Sequence, residues 1–348
     1  MEKRIVSLLL ALVLVATCAF AAVGEVSFLS DEAGLTNGSF LEGVGTPKGE
    51  YKIANITRTL MNAHWVKNKE GFEAAGAHYG VTADVFAVQS EQDVMDQLNI
   101  LETCIVKGYD AVIVSPITEQ NLLPGLKKAT EAGIVIINVD TAEISKASAD
   151  ENGIVITTFL GSNNYDSGKM AAEFISEKLG SKTAEVAVIE GNPGDTCAID
   201  RTSGFADAAA ASSNLKLVAS QTGKWDRLES LNVATSILRA NPNIRGIYCN
   251  NDTMVLGVMQ AAADLGYEIL TSDEFDRAGE DKTLLLIGND GVPEAIQAVK
   301  DGALTGTIAQ KPYLMGYSAL EAAIIALNGE VPPERFNTPV ALVTKADF

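Results

Sequence analysis

The sequence has few of the residues that metal sites and nucleic-acid interfaces use. Its 348 residues include two Trp, two His and four Cys, and 26 Lys and Arg stand against 45 Asp and Glu. The formal charge of -19 argues against nucleic acid as a partner, because phosphate binding needs a cluster of cations. No Cys/His cluster has metal-ligand spacing, and His64 and His78 are too far apart in sequence for a local site. We therefore expect no metal and no nucleic acid.

The cysteines do not form the pattern of a disulfide framework. Cys18 lies near the N-terminus, which leaves three cysteines in the rest of the chain. Cys104 lies in a helical pattern and Cys249 in an apolar strand, so both are expected to be small core residues. A bridge between Cys197 and Cys249 stays open at this stage.

The N-terminus has the organisation of an export signal. Lys3-Arg4 precedes an apolar run at 5–16, which is shorter than the roughly 20 residues of a membrane span. Ala19-Phe20-Ala21 matches a cleavage site, which predicts a signal peptide at 1–21 and a mature chain from Ala22. Lipid anchoring at Cys18 remains an alternative, because residues 15–18 loosely resemble a lipobox. Residues 22–50 are rich in Gly, Ser and acids, and we interpret them as a flexible leader.

From residue 51 onward, short apolar strands alternate with helical patterns. Continuous apolar runs such as 111–115 and 134–139 are typical of parallel strands covered on both faces. A second, similar series begins near residue 184, so the sequence predicts an α/β fold with two similar doubly wound parallel-sheet lobes. The polar segment 142–152 and the acidic segment 268–282 are predicted to be surface loops, and the latter lacks the spacing of a calcium-binding EF-hand.

The two tryptophans occupy equivalent places in the two predicted lobes. Trp65 and Trp225 each follow a strand, at the sheet edge where open α/β sheets bind ligands. Other strands end in polar residues that could bond the hydroxyls of a polyol: Arg58, Asn62, His64, Asp140, Arg201, Asn251, Asp290 and Gln310. Aromatic rings can cover the C–H face of a sugar, so the pattern favours a carbohydrate ligand.

Catalysis is the weaker interpretation of the same residues. Gly191-x-x-Gly194 matches neither a Walker A loop nor a dinucleotide fingerprint, and no nucleophile elbow is present. Asp140, Asp226 and Asp290 could act as the acid and base of a glycosidase, but that chemistry rarely uses so many amides and arginines. Purely structural roles also remain open: Asp252 could cap a helix, Arg227 could pair with a surface carboxylate, and each Trp could fill a core.

The combined motifs resemble the periplasmic sugar-binding proteins of ABC transporters, of the ribose and allose type. The motifs are Asn62-x-x-Trp65, Asn138-x-Asp140, Arg201, Trp225-Asp226-Arg227, Asn251-Asp252-Thr253 and Ile308-Ala309-Gln310. The resemblance implies a hinge of three crossovers, near Gly161, after Gln310 and before Val340. It implies an N-terminal lobe of 51–161 plus 311–338 and a C-terminal lobe of 162–310 plus 339–348.

The resemblance also implies ligand-binding roles. Trp65 and Trp225 are expected to sandwich a pyranose whose hydroxyls bind Asn62, Asp140, Arg201, Asn251, Asp290 and Gln310. Arg58 stands where the allose type carries Lys, and His64 stands where the family has an aromatic wall. Ribose binders carry Arg where this chain has Thr141, which counts against ribose.

The expected function is capture of a monosaccharide in the periplasm and its delivery to an ABC transporter permease. The binder would be a non-enzymatic monomer without a cofactor, and its high net charge favours the monomer. One alternative is a receptor of the same fold that signals to a membrane partner. A sugar-responsive repressor would need a helix-turn-helix, which residues 1–50 do not provide, and a glycosidase is the third alternative.

Overall fold

The structure is a computed structural model that describes residues 28–29, 39–140 and 142–348. The predicted signal peptide, its cleavage site, the lipobox and Thr141 lie outside these residues. Within them, strands and helices alternate in the predicted order, and no described helix has the length and apolar character to cross a membrane.

The N-terminal lobe is built on a six-stranded parallel sheet with strand order β12-β5-β4-β3-β1-β2. Its elements are β1 (Lys52–Thr59), α1 (Ala63–Tyr79), β2 (Thr82–Val88), α2 (Val94–Val106), β3 (Ala111–Val114), α3 (Leu123–Glu131), β4 (Val135–Val139), α4 (Lys146–Asn152), β5 (Thr158–Ser162) and, late in the chain, α10 (Pro312–Leu327) and β12 (Arg335–Thr338).

The C-terminal lobe repeats this architecture with strand order β13-β11-β10-β8-β6-β7, and a short β9 pairs with β10. All its strands are parallel except β13, which runs antiparallel to β11. Its elements are α5 (Asn164–Leu179), β6 (Ala184–Glu190), α6 (Thr196–Ala211), β7 (Leu215–Thr222), α7 (Arg227–Ala240), β8 (Ile244–Cys249), α8 (Asp252–Asp264), β9 (Glu268–Ile269), β10 (Thr283–Asp290), α9 (Pro293–Lys300), β11 (Gly306–Ala309) and β13 (Ala341–Thr344).

The chain passes between the two sheets three times. It leaves the first sheet after β5, returns after β11 and crosses again between β12 and β13. Helix α5 packs on α6 in the C-terminal lobe, and α10 packs on α1 in the N-terminal lobe. The predicted fold class of two doubly wound lobes joined by three crossovers is therefore confirmed.

Each sheet has a hydrophobic core on both faces, which explains the continuous apolar runs. In β1, Ile53 belongs to one buried cluster and its neighbour Ala54 to the cluster on the opposite face. In β6, Val186 and Ala187 divide between two clusters in the same way. Successive side chains of a strand point to opposite faces, so both must be apolar when helices cover both.

Two segments predicted as surface loops contain regular structure. Residues 142–152 include α4, whose N-terminus is capped by the side chain of Ser145. Residues 268–282 include β9 and a 3-10 helix at Ser272–Arg277. Arg277 ties this segment together through bonds of 2.7 and 2.8 Å to the carboxylate of Glu268.

The flexible-leader interpretation is wrong for residues 39–44. Leu41 and Val44 are buried in the core of the N-terminal lobe. The carboxylate of Glu321 on α10 accepts the backbone N–H groups of Phe40 and Leu41, the latter at 2.9 Å. This part of the chain is therefore fixed to the lobe by main-chain bonds and apolar contacts.

The cysteines of the described part are free and buried. Cys104, Cys197 and Cys249 carry thiols, so the bridge that the sequence left open between Cys197 and Cys249 is not formed. Burial raises the pKa of Cys197 and Cys249 well above the usual value, and both remain protonated, unreactive thiols.

Candidate functional site

A cavity lies between the lobes, at the carboxyl ends of the strands of both sheets, and about 30 Å³ of it is open to the centre of a water-sized sphere. Holding one water takes about 10–15 Å³ on this measure, so the cavity between the closed lobes is small. All ten residues predicted from the sequence line it: Arg58, Asn62, His64, Trp65, Asp140, Arg201, Trp225, Asn251, Asp290 and Gln310. Glu91 and Cys197, which were not predicted, complete the lining.

Two of the lining residues also begin helices. The side chain of Asn62 accepts the His64 N–H at the start of α1, and that of Asn251 accepts the Met254 N–H at the start of α8. The cap fixes each amide and leaves its Nδ2 group to donate to a ligand. Asp252, suggested as the cap of α8, is instead the first helical residue.

Asp252 supports the loop that follows β10. Its carboxylate accepts the backbone N–H groups of Gly291 at 2.7 Å and Val292 at 2.9 Å, and the hydroxyl of Thr307 at 2.7 Å. These bonds hold the turn directly after Asp290. Burial, followed by the neighbouring Asp290 carboxylate, raises the pKa of Asp252 to about 8.

The two tryptophan rings line the cavity with their indole N–H groups satisfied by carboxylates. Trp65 donates to Glu91 Oε1 at 3.3 Å, and Trp225 donates to Asp195 Oδ2 at 3.3 Å. The ring of Trp225 lies directly on the backbone of Gly191, where an added Cβ would be 2.0 Å from Cζ2. Only glycine permits this approach, and it positions the ring face.

Backbone strain is concentrated at the cavity. Asp140 (φ 67°), Trp225 (φ 60°) and Asp290 (φ 126°) are non-glycine residues with positive φ, and all three line it. Such conformations cost about 1–3 kcal/mol each and persist where the surroundings impose them. Their clustering here indicates that the positions of these side chains are maintained although they require a strained backbone.

His64 and Asp140 form a buried ion pair. His64 Nε2 lies 2.5 Å from Asp140 Oδ2, and both side chains are nearly inaccessible to solvent. Burial lowers the pKa of His64, but the Asp140 carboxylate raises it more, so the net shift is upward. For Asp140, burial raises the pKa, and the charge of His64 followed by that of Arg201 brings it below the usual value.

Arg201 and Asp290 form a second pair on the C-terminal lobe. Arg201 Nη1 lies 3.5 Å from Asp290 Oδ1 and donates to the backbone oxygen of Asn250 at 2.5 Å. Gln310 Nε2 also donates to Asp290 Oδ1, at 2.5 Å. Burial raises the pKa of Asp290, and Arg201 only partly offsets that rise.

Three polar atoms of the lining are buried without a protein partner in the described part of the chain. They are His64 Nδ1, Asp140 Oδ1 and Gln310 Oε1. Buried polar atoms are almost always hydrogen-bonded, because an unmade bond costs about 1–3 kcal/mol. The imidazolium Nδ1 of His64 can donate a hydrogen bond, and the oxygens of Asp140 and Gln310 can accept one. Ligand hydroxyls can bond to all three atoms.

Arg58 lines the cavity, but its guanidinium is largely engaged by protein. Its Nε and Nη2 donate to the carbonyl of Pro116 at 2.9 and 2.6 Å, and Nη2 also lies 2.9 Å from Asp195 Oδ2. Nη1 lies 3.4 Å from Glu91 Oε2. Its contribution to ligand binding is therefore at most one further donor, less than the sequence suggests.

Two other structural interpretations from the sequence have clear outcomes. Arg227 does pair with an exposed carboxylate, that of Glu294, at 2.6 Å. Asp226 is exposed and caps α7 by accepting from Glu229 N, so it does not join Asp140 and Asp290 in a catalytic group. Asp195 and Glu91 escaped the sequence analysis, although Asp195 sits where Asp commonly caps a helix after a strand.

Two similar α/β lobes that enclose a polar, aromatic-walled cavity at their strand ends define a solute-binding protein. The chain belongs to the family described as periplasmic binding protein domain, which matches residues 53–330. This is a family of binding proteins, and the glycosidase alternative is set aside on that ground.

Individual relatives agree with this assignment. The chain is 37% identical over 285 residues to the D-allose-binding periplasmic protein of Escherichia coli, covering 82% of this chain and 86% of that protein. It is 31% identical over 299 residues to the ribose import binding protein of Bacillus subtilis, covering 86% and 88%. A periplasmic solute-binding protein from Actinobacillus succinogenes, solved with D-allose, has a TM-score of 0.76 at 32% identity, covering 85% of this chain and 98% of that one.

Proposed function

We propose that this chain is an exported receptor that captures a monosaccharide, an allose-like hexose or a related sugar, and delivers it to an ABC transporter. The observation that carries this is the set of buried atoms without partners, His64 Nδ1, Asp140 Oδ1 and Gln310 Oε1, in a cavity that two tryptophans line. Hydroxyls can complete the bonds of these atoms, and the rings can cover the apolar face of a sugar.

The charges of the lining favour a neutral ligand. Each cation has a carboxylate partner: His64 with Asp140 at 2.5 Å, Arg201 with Asp290 at 3.5 Å, and Arg58 with Asp195 at 2.9 Å. A sugar phosphate or a sugar acid would need an unneutralised cation, and among the described lining residues every one is paired. A neutral sugar needs donors and acceptors only.

Closure follows from the distribution of these groups over both lobes. Trp65, His64 and Asp140 belong to the N-terminal lobe, whereas Trp225, Arg201 and Asp290 belong to the C-terminal lobe. A sugar contacts both sets only when the lobes are closed, so its binding shifts the population toward the closed form. We propose that the closed form is what the permease recognises, with the receptor acting as a monomer.

The export route is part of the proposal. Residues 1–21 would direct the chain to the periplasm and be removed, with lipid anchoring at Cys18 as the alternative. Mass spectrometry of the exported protein distinguishes a free N-terminus at Ala22 from a lipidated Cys18.

A panel of monosaccharides and polyols tests the ligand class. A sugar at one hundred times its Kd should stabilise the protein by about 2.7 kcal/mol, visible as a rise in Tm, and calorimetry should give one site per chain. A phosphorylated hexose serves as the charged control and should leave Tm unchanged. Stabilisation by the phosphorylated sugar alone, or by no member of the panel, would contradict the proposal.

A further inference from the structure

A continuous line of polar contacts connects the two tryptophans through one guanidinium. Trp65 Nε1 donates to Glu91 at 3.3 Å, and Glu91 lies 3.4 Å from Arg58 Nη1. Arg58 Nη2 lies 2.9 Å from Asp195, which accepts the Trp225 N–H at 3.3 Å. All four contacts involve buried or nearly buried groups, and only the contact between Arg58 and Asp195 crosses from one lobe to the other.

Asp195 uses its two carboxylate oxygens for different purposes. Oδ1 accepts the backbone N–H of Cys197 at 3.2 Å and so caps α6 within the C-terminal lobe. Oδ2 accepts both the guanidinium of Arg58 from the other lobe and the indole N–H of Trp225. The side chain is 1% exposed, and it does not line the cavity.

We infer that Asp195 is a positioning residue that couples closure of the lobes to the orientation of Trp225. When the lobes close, the arrival of Arg58 fixes Oδ2, and Oδ2 fixes the indole that forms one wall of the cavity. That a sugar stacks on Trp225 rests on the proposed function. The ion pair itself does not depend on the ligand, because it joins two protein groups.

The remaining contacts of Arg58 make the pair effective as a latch. Its other acceptors, the backbone oxygens of Pro116 and Ile117 and the carboxylate of Glu91, all lie on its own lobe. The guanidinium is therefore held in place and loses only Asp195 when the lobes separate. Without the Asp195 charge, closing would bury Arg58 with one carboxylate fewer, which disfavours the closed form.

Asp195→Asn is the variant that isolates this charge. Asn caps helices about as well as Asp, so the cap at Cys197 and the fold are retained. We expect the dissociation rate of the bound sugar to rise about 10- to 100-fold, as for the loss of a hydrogen bond between charged groups. The association rate should stay within about twofold, because association begins from the open form. Stopped-flow kinetics gives both rates.

Asp207→Asn is the matched control on the same helix. Asp207 is exposed and bonds only the hydroxyl of Tyr165 at 2.9 Å, so neither rate should change. In X-ray scattering without ligand, Asp195→Asn should show a larger radius of gyration than Asp207→Asn, because fewer molecules are closed. The bound sugar should dissociate from an Arg58→Gln, Asp195→Asn double variant no faster than from the faster single variant. Each substitution removes the same contact between Arg58 and Asp195.

The outcomes separate the inference from the proposed function. If the wild type binds no sugar, the proposed function fails, and the scattering comparison alone tests the inference. Equal radii of gyration for Asp195→Asn and Asp207→Asn then overturn the inference. If the wild type binds sugar and Asp195→Asn dissociates at the wild-type rate, Asp195 is only a helix cap. Additive effects of Arg58→Gln and Asp195→Asn on the dissociation rate would likewise overturn the inference.

Discussion

Gly191→Ala should disable the ligand cavity without any change in a polar group. A Cβ at this position would lie 2.0 Å from Trp225 Cζ2 and 2.2 Å from Cε2, where ordinary contact begins at 3.4 Å. The ring would have to retreat by about 1.4 Å to regain that distance. Gly191 does not have a positive φ, so alanine is acceptable to the backbone and the whole effect acts through the ring.

The backbone at Gly191 cannot yield in place of the ring. Its N–H donates to Asn250 Oδ1 at 3.1 Å, and its carbonyl accepts the Thr222 hydroxyl at 2.6 Å. Trp225 must therefore move, which also strains its N–H bond to Asp195. Displacement of a central aromatic anchor should cost about 2 kcal/mol of sugar affinity, or about 30-fold in Kd.

Isothermal calorimetry with the best sugar of the panel measures this loss. Gly49→Ala is the control, because Gly49 is exposed and its added Cβ would meet only the edge of Tyr51 at 3.3 Å. In the Trp225→Phe background, Gly191→Ala should cost less, since the smaller ring frees part of the space. Wild-type affinity in Gly191→Ala, at wild-type Tm, would refute the assignment of Trp225 as a wall of the ligand site.

Three further variants and one pH series test the site and the fold. Trp225→Ala should weaken sugar binding by about 2 kcal/mol or more, and unchanged affinity in calorimetry would remove Trp225 from the site. Asp290→Asn should lose affinity while the ligand-free Tm stays close to wild type; a large fall in Tm would make Asp290 structural. Glu321→Gln should lower the free energy of unfolding by about 1–3 kcal/mol and expose residues 39–44 to hydrogen exchange, with unchanged sugar affinity. The pair of His64 and Asp140 should make ligand-free stability depend on pH. Its contribution is complete below the usual His pKa of 6.5 and is lost as pH rises through the raised pKa of His64. On the acid side it is present above the usual Asp pKa of 3.8 and is lost as pH falls through the lowered pKa of Asp140. Thermal melts of wild type and His64→Gln should be compared across this pH range. The Tm of the wild type should fall more steeply on the alkaline side than that of His64→Gln, and parallel curves of Tm against pH would contradict the pairing.

The succession of strands and helices along the chain and the composition of the cavity were predictable because each has a local signature. Strands covered on both faces must be apolar throughout, as β3 and β4 are, and they appear as unbroken hydrophobic runs. Polar and aromatic residues at the ends of such runs, for example Asp140 and Trp225, converge because parallel strands end at one edge. All ten predicted residues lie around one cavity for this reason, and their individual ligand roles stay a prediction.

The features that escaped prediction depend on partners far away in sequence or on weak local patterns. The contact of Arg58 with Asp195 joins residues 137 positions apart and requires the lobes to be closed. Helix α4 is short and polar and buries only Ala149, so it has no apolar periodicity. The attachment of residues 39–41 depends on Glu321, about 280 positions later. Its carboxylate bonds the backbone, so the side chains of residues 39–41 do not indicate the contact.

Because this chain has only two tryptophans and both line the same cavity, its tryptophan emission comes from one place. Each indole N–H faces a carboxylate, so a change in the polarity or distance of that partner shifts the emission spectrum directly. The native protein is thus its own optical sensor of occupancy, and opening and filling can be followed in real time without a dye, a label or an engineered cysteine.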